Sequence, residues 1–424
     1  MSDLECVVAG IRSINPFWLA SAPPTDKKYT VTRAFKAGWG GAVWKTLGAD
    51  PPIVNVTSRY GVHRSADRKI VGINNIELIS DRPLGLNLKE IEEVRREWPD
   101  RIIIGSIMAP IDEQAWKELA IKLANAGVHG IELNLGCPHG MCERGMGSAV
   151  GQVPDLVRQT TRWVKEAVSL PVFTKLTPNV SDITIPAEAA KLGGADAISL
   201  INTVNSITSV DLDRMAPTPT VDGMGTHGGY CGDAVKPIAL HMVAEILRAE
   251  ETRGLEVSAI GGIGTWRDAA EFIALGASGV QVCTAAMLYG FRIVEDMIDG
   301  LGAFMRDKGY RSIEDFKGLA RAKVVAWNDL NMNYDLKAVI DEKACIECGR
   351  CYIACEDTSH QAIRIDVKPD GGRRFTVVDA DCIGCNLCQH VCPVSDCIEM
   401  KPVANGLAPL TWPHHPKNPM KAAE

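Results

Sequence analysis

The stretch VSAIGGIGTWRDAAEFIALGASGVQVCTA, residues 257–285, decides the fold. It opens with an apolar run (VSAIGGI, 257–263) and continues through an amphipathic segment that ends near Gly276 (DAAEFIALGA, 268–277). A second apolar run (GVQVCTA, 279–285) closes it. Near-continuous apolar runs flanking a helix are strands buried on both faces and joined by a crossover. The pattern recurs upstream. FWLASA (17–22), GAVWKT (41–46), IIIGSIMA (102–109), GIELNL (130–135), PVFTKL (171–176) and AISLINT (197–203) read as strands. DEQAWKELAIKLANAG (112–127) and VPDLVRQTTRWVKEAV (153–168) read as helices between them. Eight strands, each followed by a helix or a long excursion, predict an α/β fold, a (β/α)8 TIM barrel spanning residues 1–310. An open doubly wound sheet is the competing arrangement, because counting strands does not prove closure.

Catalytic groups of such a barrel belong at the C-terminal ends of the strands. Those ends carry Ser21, Lys45-Thr46, Asn134, Lys175, Asn202-Thr203, Gly261-Gly262 and Cys283-Thr284. The connections 47–101 and 204–234 are too long for ordinary turns and are expected to cover the site as loops or lids.

The chain has 424 residues, 46% hydrophobic and 23% charged, which excludes global disorder. A net charge of −7 gives no basic footprint for nucleic acid or an anionic membrane. No apolar run approaches the roughly 20 residues that span a bilayer. The opening MSDLECVVAG lacks the basic and apolar regions of a secretory signal. A cytoplasmic protein is expected.

Of 14 cysteines, nine fall between Cys345 and Cys397. In a reducing compartment such clustering points to metal rather than disulfides. Cys345, Cys348, Cys351 and Cys355 follow the spacing C-x2-C-x2-C-x3-C, and Cys382, Cys385, Cys388 and Cys392 repeat it, with Pro393 next. Three thiolates at this spacing wrap one iron–sulfur cube, and the fourth reaches the other. Cluster one therefore takes Cys345, Cys348, Cys351 and Cys392; cluster two takes Cys382, Cys385, Cys388 and Cys355. Glu356 stands where Pro is usual in the first run. Zinc also takes four cysteines, but eight in a duplicated run favour two [4Fe-4S] clusters, and Cys397 is expected to be a buried bystander. The layout is thus the barrel, a connector (311–341), an α+β ferredoxin-like domain (342–400) and a Pro-rich tail (401–424).

In the barrel, Cys137 follows Asn134-Leu135-Gly136 where the fourth strand ends. A thiol with an ordinary pKa of about 8.5 is protonated at neutral pH and can donate a proton to carbon. Here the sequence resembles the dihydroorotate and dihydropyrimidine dehydrogenase family. The landmarks are INPFWLASA, AGWGGAVWKT, NIELIS, ELNLGCPHG, ERGMG, KLTPN, INT and QVC. The fused segment DEKACIECGRCYIACEDTSHQAIRID is similar to the C-terminal part of dihydropyrimidine dehydrogenases and is absent from dihydroorotate dehydrogenases.

The resemblance implies an FMN held by Ser21, Lys45, Thr46, Lys175, Gly232, Ile260, Gly261, Gly262, Cys283 and Thr284, with Lys175 at the flavin's N1–C2=O edge. It implies a pyrimidine base bound by Asn75, Asn134 and Asn202, with Glu77, Thr203 and the Leu135–Gly136 backbone as secondary contacts. A carboxamide offers one acceptor and two donors, so converging Asn groups match a neutral base. The family usually has Ser at position 136, so no side-chain contact carries over to Gly136. Cys137 takes the position of the catalytic acid, which protonates C5 while reduced FMN gives hydride to C6. Cys142 is the alternative thiol, and His139 and His227 are expected near the mouth.

No G-x-G-x-x-G follows a strand to open a helix, and GGIGT (261–265) does not fit that fingerprint. NAD(H) is therefore expected on a partner, an NADH-oxidising flavoprotein subunit; the resemblance implies FAD on that partner and this chain as a homodimer within a heterotetramer. The alternatives are a dihydroorotate dehydrogenase-like enzyme, whose substrate carboxylate wants a dedicated cation, and an electron-transfer subunit with a silent barrel.

Overall fold

The computed structural model describes residues 4–358 and 360–420. They divide into two compact units, the first ending at Val324 and the second beginning at Val325. Eight strands of the first unit form a closed barrel. They are β1 (Phe17–Leu19), β2 (Gly41–Leu47), β3 (Ile102–Ile107), β4 (Gly130–Asn134), β5 (Val172–Lys175), β6 (Ala197–Leu200), β7 (Glu256–Ile260) and β8 (Gly279–Val282). Each pairs in parallel with its sequence neighbours, and β8 closes onto β1 with Val280 opposite Phe17. That closure excludes the open sheet.

The strands read as apolar runs because both faces are covered. Phe17, Val43, Ile103, Ile131, Val172, Ile198, Val257 and Val280 are all fully buried. Outside lie helices whose apolar stripes face the strands. Trp116, Leu119 and Leu123 are the buried side of Glu113–Asn125, and Val157, Trp163 and Val164 that of Pro154–Ala167. Local chemistry sets their ends. Asp112 caps the first of these helices by accepting from the Ala115 N–H at 2.7 Å. Thr265 and Asp268 form a capping box that starts the helix after β7 at Trp266, two residues ahead of the apolar pattern. Gly276 closes that helix at φ +118°, a conformation that disfavours any side chain.

The two long connections are more ordered than the loops expected of them. They supply a four-stranded antiparallel sheet in the order Val204–Ser206, Gly228–Cys231, Ile70–Asn75, Tyr60–Arg64. A hairpin, Ser209–Asp211 with Ala216–Thr218, extends from the same region. A further hairpin, Cys6–Val8 with Ile11–Ser13, precedes the barrel. Residues 311–324 pack on the barrel core through Ile313 and Phe316.

The second unit is built from two antiparallel pairs, Leu336–Ile340 with Ile398–Pro402 and Ile363–Val367 with Arg373–Val377. Helices Arg350–Glu356 and Leu387–Val391 complete it. The segment after Pro402 lies back along residues 327–335, with Trp412 packed edge-on to Trp327 and the Met332 N–H donating to the Leu410 carbonyl. Among the described residues, no helix is long and apolar enough to cross a membrane.

Candidate active site and cluster cavities

The barrel strands deliver their terminal residues into one cleft of about 1190 Å3, counting its open mouth. Ser21, Lys45, Thr46, Asn134, Lys175, Asn202, Thr203, Ile260, Gly261, Gly262, Cys283 and Thr284 line it from the barrel, and Asn75, Glu77 and Gly232 from the covering sheet and its flanks. Cys137 and His139 reach it from the loop after β4.

One hydrogen-bonded chain crosses the floor. Ser21 and Thr46 share a hydroxyl contact at 3.0 Å. The Asn134 amide donates to the Thr46 hydroxyl at 2.9 Å, and the Asn202 amide donates to the Asn134 carbonyl oxygen, also at 2.9 Å. Asn202 in turn accepts from the Thr203 N–H at 2.8 Å. These bonds fix the orientation of each carboxamide, which recognition of a donor–acceptor edge requires. Asn75 is fixed separately, donating to the Gly229 carbonyl at 3.0 Å.

Leu135 and Gly136 do not line the cleft. The Leu135 side chain is fully buried in the core, and its N–H donates to the Lys175 carbonyl at 3.1 Å. At Gly136 a Cβ would fall 2.5 Å from the Asn202 side chain, so the missing side chain is what lets Asn202 rest on Asn134. The contribution of residue 136 is thus space for Asn202.

Two lysines enter the cleft, each beside a buried carboxylate. Lys45 Nζ lies 2.6 Å from Glu77 Oε1, which also meets Arg59 at 3.3 Å, and the Tyr60 hydroxyl donates to the same carboxylate. Lys175 Nζ lies 3.7 Å from Glu132 Oε1. Glu132 is fully buried and that oxygen has no hydrogen-bond partner. Gln281, on β8, reaches Ser258 and Ser199 through its amide nitrogen at 3.0 and 3.2 Å, while its carbonyl oxygen is buried and unpaired. Glu132, Gln281, Arg59 and Tyr60 escaped the sequence reading. The first two were visible as lone polar residues inside apolar strand runs (GIELNL and GVQVCTA).

Burial pushes the Cys137 thiol up to about 11, so it holds its proton across the neutral range. Its Sγ donates to the His139 carbonyl at 3.5 Å. Cys142 instead turns its sulfur to the Pro138 carbonyl at 3.1 Å and does not line the cleft. His139 lies 2.9 Å from the Glu77 carbonyl through Nε2, which therefore carries the hydrogen. Its Nδ1 is buried without a partner, and burial lowers its pKa, keeping the ring neutral. His227 stays outside the lining, against the Pro138 carbonyl at 3.2 Å.

The far end of the cleft suits a phosphate. Gly261 and Gly262 sit at φ +132° and +67°, and a Cβ there would press to 2.7 Å from Ala239 and 2.6 Å from Lys236. Only bare backbone fits this turn, which lets main-chain N–H groups approach an anion closely. Gly232 faces it from the covering segment at φ +105°. Cys283 contributes shape rather than reactivity, since burial pushes its thiol up to about 12. A polar floor, a buried ammonium and a glycine turn match a planar heterocycle bearing a phosphate.

In the second unit, Cys345, Cys348, Cys351 and Cys392 line a cavity of about 310 Å3 with Ile340, Phe375, Val394 and Ile398. Cys355, Cys382, Cys385 and Cys388 line another of about 400 Å3 with Ile363, Val377 and Met400. In each, three cysteines come from one run and a fourth from the other, and Cys397 also lines the first cavity. The Ala362 N–H points at Cys355 Sγ at 3.3 Å, a bond that stabilises a thiolate. Among the described residues, no three of His, Cys, Asp and Glu stand close enough to grip one ion. Cysteines spread around an apolar cavity fit a cube better than a single zinc.

Comparison with known proteins agrees with both halves. A dihydroorotate dehydrogenase family model matches residues 3–305, and a 4Fe-4S dicluster domain model matches residues 338–400. The chain is 42% identical over 399 residues to the NAD-dependent dihydropyrimidine dehydrogenase subunit PreA of Escherichia coli K12, covering 94% of this chain and 95% of that one. It is 42% identical over 325 residues to the chloroplastic dihydropyrimidine dehydrogenase (NADP(+)) of Arabidopsis thaliana, covering 74% and 76%. Identity to the catalytic subunit of dihydroorotate dehydrogenase B (NAD(+)) from Thermoplasma volcanium is 35% over 323 residues, 76% of this chain and 99% of that one. The chain belongs to the dihydroorotate dehydrogenase family and joins that barrel to a 4Fe-4S dicluster domain.

Proposed function

We propose that this chain is the catalytic subunit of a dihydropyrimidine dehydrogenase, interconverting uracil or thymine with the 5,6-dihydro base. The observation that carries the reading is a proton-bearing Cys137 in one cleft with the Asn134–Asn202 amide pair and the Lys175 ammonium. Ser21, Lys45, Thr46, Lys175, Gly232, Ile260, Gly261, Gly262, Cys283 and Thr284 would hold FMN. Asn75, Asn134, Asn202 and Thr203, with Glu77, would hold the base. The eight cluster cysteines would carry two [4Fe-4S] groups, divided between the cavities as above. Bound FMN would exchange hydride with C6 of the base, and the clusters would bring it electrons singly.

The chain's own residues do the rest. The amides orient the ring through neutral hydrogen bonds, at no cost in buried charge. Cys137 gives its proton to C5 in reduction and takes one back in the reverse direction. The neutral His139 leaves Nδ1 free to accept from a substrate N–H or a water. Ile79, Met108 and Met141 pack with Cys137 and exclude bulk water around the thiol.

Lys45 and Lys175 each stand beside a carboxylate. That favours a neutral base over orotate, whose carboxylate needs an uncommitted cation. Electrons from NADH would enter through a partner flavoprotein of the PreT type that binds NAD(H) and FAD, in a heterotetramer around a homodimer of this chain. Anaerobic addition of 5,6-dihydrouracil to the flavin-loaded chain should bleach the flavin absorbance, while dihydroorotate should not. An unchanged spectrum with flavin present, or the reverse selectivity, overturns the assignment.

A further inference from the structure

We propose that Cys397 is a reserve ligand to the first iron–sulfur cluster, able to take the iron held by Cys392. The inference rests on the reading of the second unit as a two-cluster domain and goes beyond it, since a four-iron cube needs only four of the five thiols gathered here. Cys397 is 2% exposed and lines the same cavity as Cys345, Cys348, Cys351 and Cys392. Its Sγ has the Asp341 carbonyl as hydrogen-bond partner at 3.8 Å, a long contact that a bond to iron could replace.

The backbone holds it there from both sides. The Cys397 N–H donates to the Val394 carbonyl at 3.4 Å, and the Asp341 N–H donates to the Cys397 carbonyl at 2.8 Å. The turn that aims it includes Asp396 at φ +59°, a left-handed conformation uncommon for a residue with a side chain. This thiol is therefore fixed at the wall of the cavity, on the chain segment that carries Cys392.

The two halves of the unit differ at this point. Cys355 and Cys392 play corresponding parts, each leaving its own run to complete the other cavity. Five residues after Cys355 comes His360, which lines the second cavity; five after Cys392 comes Cys397. The near-repeat thus puts an imidazole beside cluster two and a thiol beside cluster one. Only the thiol reproduces the ligand it would replace.

The exchange balances without a redox partner. As Cys397 sulfur bonds to the iron, its proton passes to water, and the departing Cys392 sulfur takes up a proton. One Fe–S bond breaks and an equivalent one forms, with cluster charge and electron count unchanged. The iron at that corner is kept where it would otherwise be lost.

The test uses the full-length chain purified without oxygen, as Cys392→Ala, Cys397→Ala and the double variant. Iron is counted, and the protein is examined by electron paramagnetic resonance both oxidised, where a three-iron cluster would show, and after reduction with dithionite. Two four-iron clusters give about eight irons per chain. Each single variant is expected to keep that number, and the double variant to fall to about four with circular dichroism unchanged. A three-iron signal or a lost cluster in Cys392→Ala overturns the proposal. So does loss of iron in Cys397→Ala, which would make this residue a primary ligand. If Cys392→Ala does not fold, Cys392→Ser with and without Cys397→Ala must show the same ordering. A wild-type chain without iron would instead sink the two-cluster reading itself.

Discussion

The proton on Cys137 can be tested directly by alkylation. Burial moves this thiol up to about 11. At pH 8 an ordinary thiol, with a pKa of about 8.5, is roughly one part in four thiolate, and Cys137 about one part in a thousand. Only the thiolate attacks iodoacetamide, so Cys137 in the folded chain should be labelled on the order of 100-fold more slowly than free cysteine, and its 8% exposure slows it further. Site-resolved mass spectrometry gives the rate, with Cys142 on the same loop read separately. The catalytic consequence has a definite sign. In reduction the donor is the protonated form, so this group should leave the rate level between pH 7 and about 10 and remove activity only as pH passes about 11. In dehydrogenation the acceptor is the thiolate, and the rate should climb through that range. Cys137→Ala should lower turnover about 10²–10⁴-fold in either direction. Labelling as fast as free cysteine, or turnover within twofold of wild type in the alanine variant, would refute the reasoning.

Four further outcomes follow from the cleft and the cavities. Gly262→Val forces a Cβ to 2.6 Å from Lys236 at a φ of +67°, so the purified chain should carry little flavin, as read from its absorbance at constant fold. Lys175→Met removes the buried ammonium, and the two-electron flavin potential should fall by at least about 30 mV, a tenfold change in the equilibrium, in a dye-coupled titration. Glu77→Gln strips Lys45 of its buried counter-charge; a loss of about 3–5 kcal/mol is expected, measured as a lower urea midpoint for the barrel unit. Cys385→Ala should lose the second cluster alone, leaving about four irons and the flavin in place.

The barrel was legible because parallel strands covered on both faces write themselves as unbroken apolar runs, and all eight runs became strands. Their limits were less legible. FWLASA extends to residue 22, yet β1 stops at Leu19, since Ser21 belongs to the rim and composition does not register where pairing ends. The covering sheet was missed because its strands are short, half-exposed and paired across about 150 residues, as Asn75 with Gly229. No local periodicity announces such a partnership. At the site, the polar rim residues were visible one by one. What could not be read was their mutual arrangement: that Gly136 makes room for Asn202, that Asn202 rests on Asn134, and that Glu132 stands behind Lys175.

The pairing of Val280 with Phe17 puts the seam of the barrel between its first and last strands. A chain emerging from the ribosome cannot shut that seam until residues 279–282 are free, and until then the hydroxyls near the N-terminus and the glycine turn near the C-terminal end of the barrel belong to separate, unjoined edges. On the proposed assignment of this cleft, flavin loading would therefore be a late event in the life of the polypeptide. Any truncation that removes β8 should abolish uptake altogether rather than weaken it in proportion.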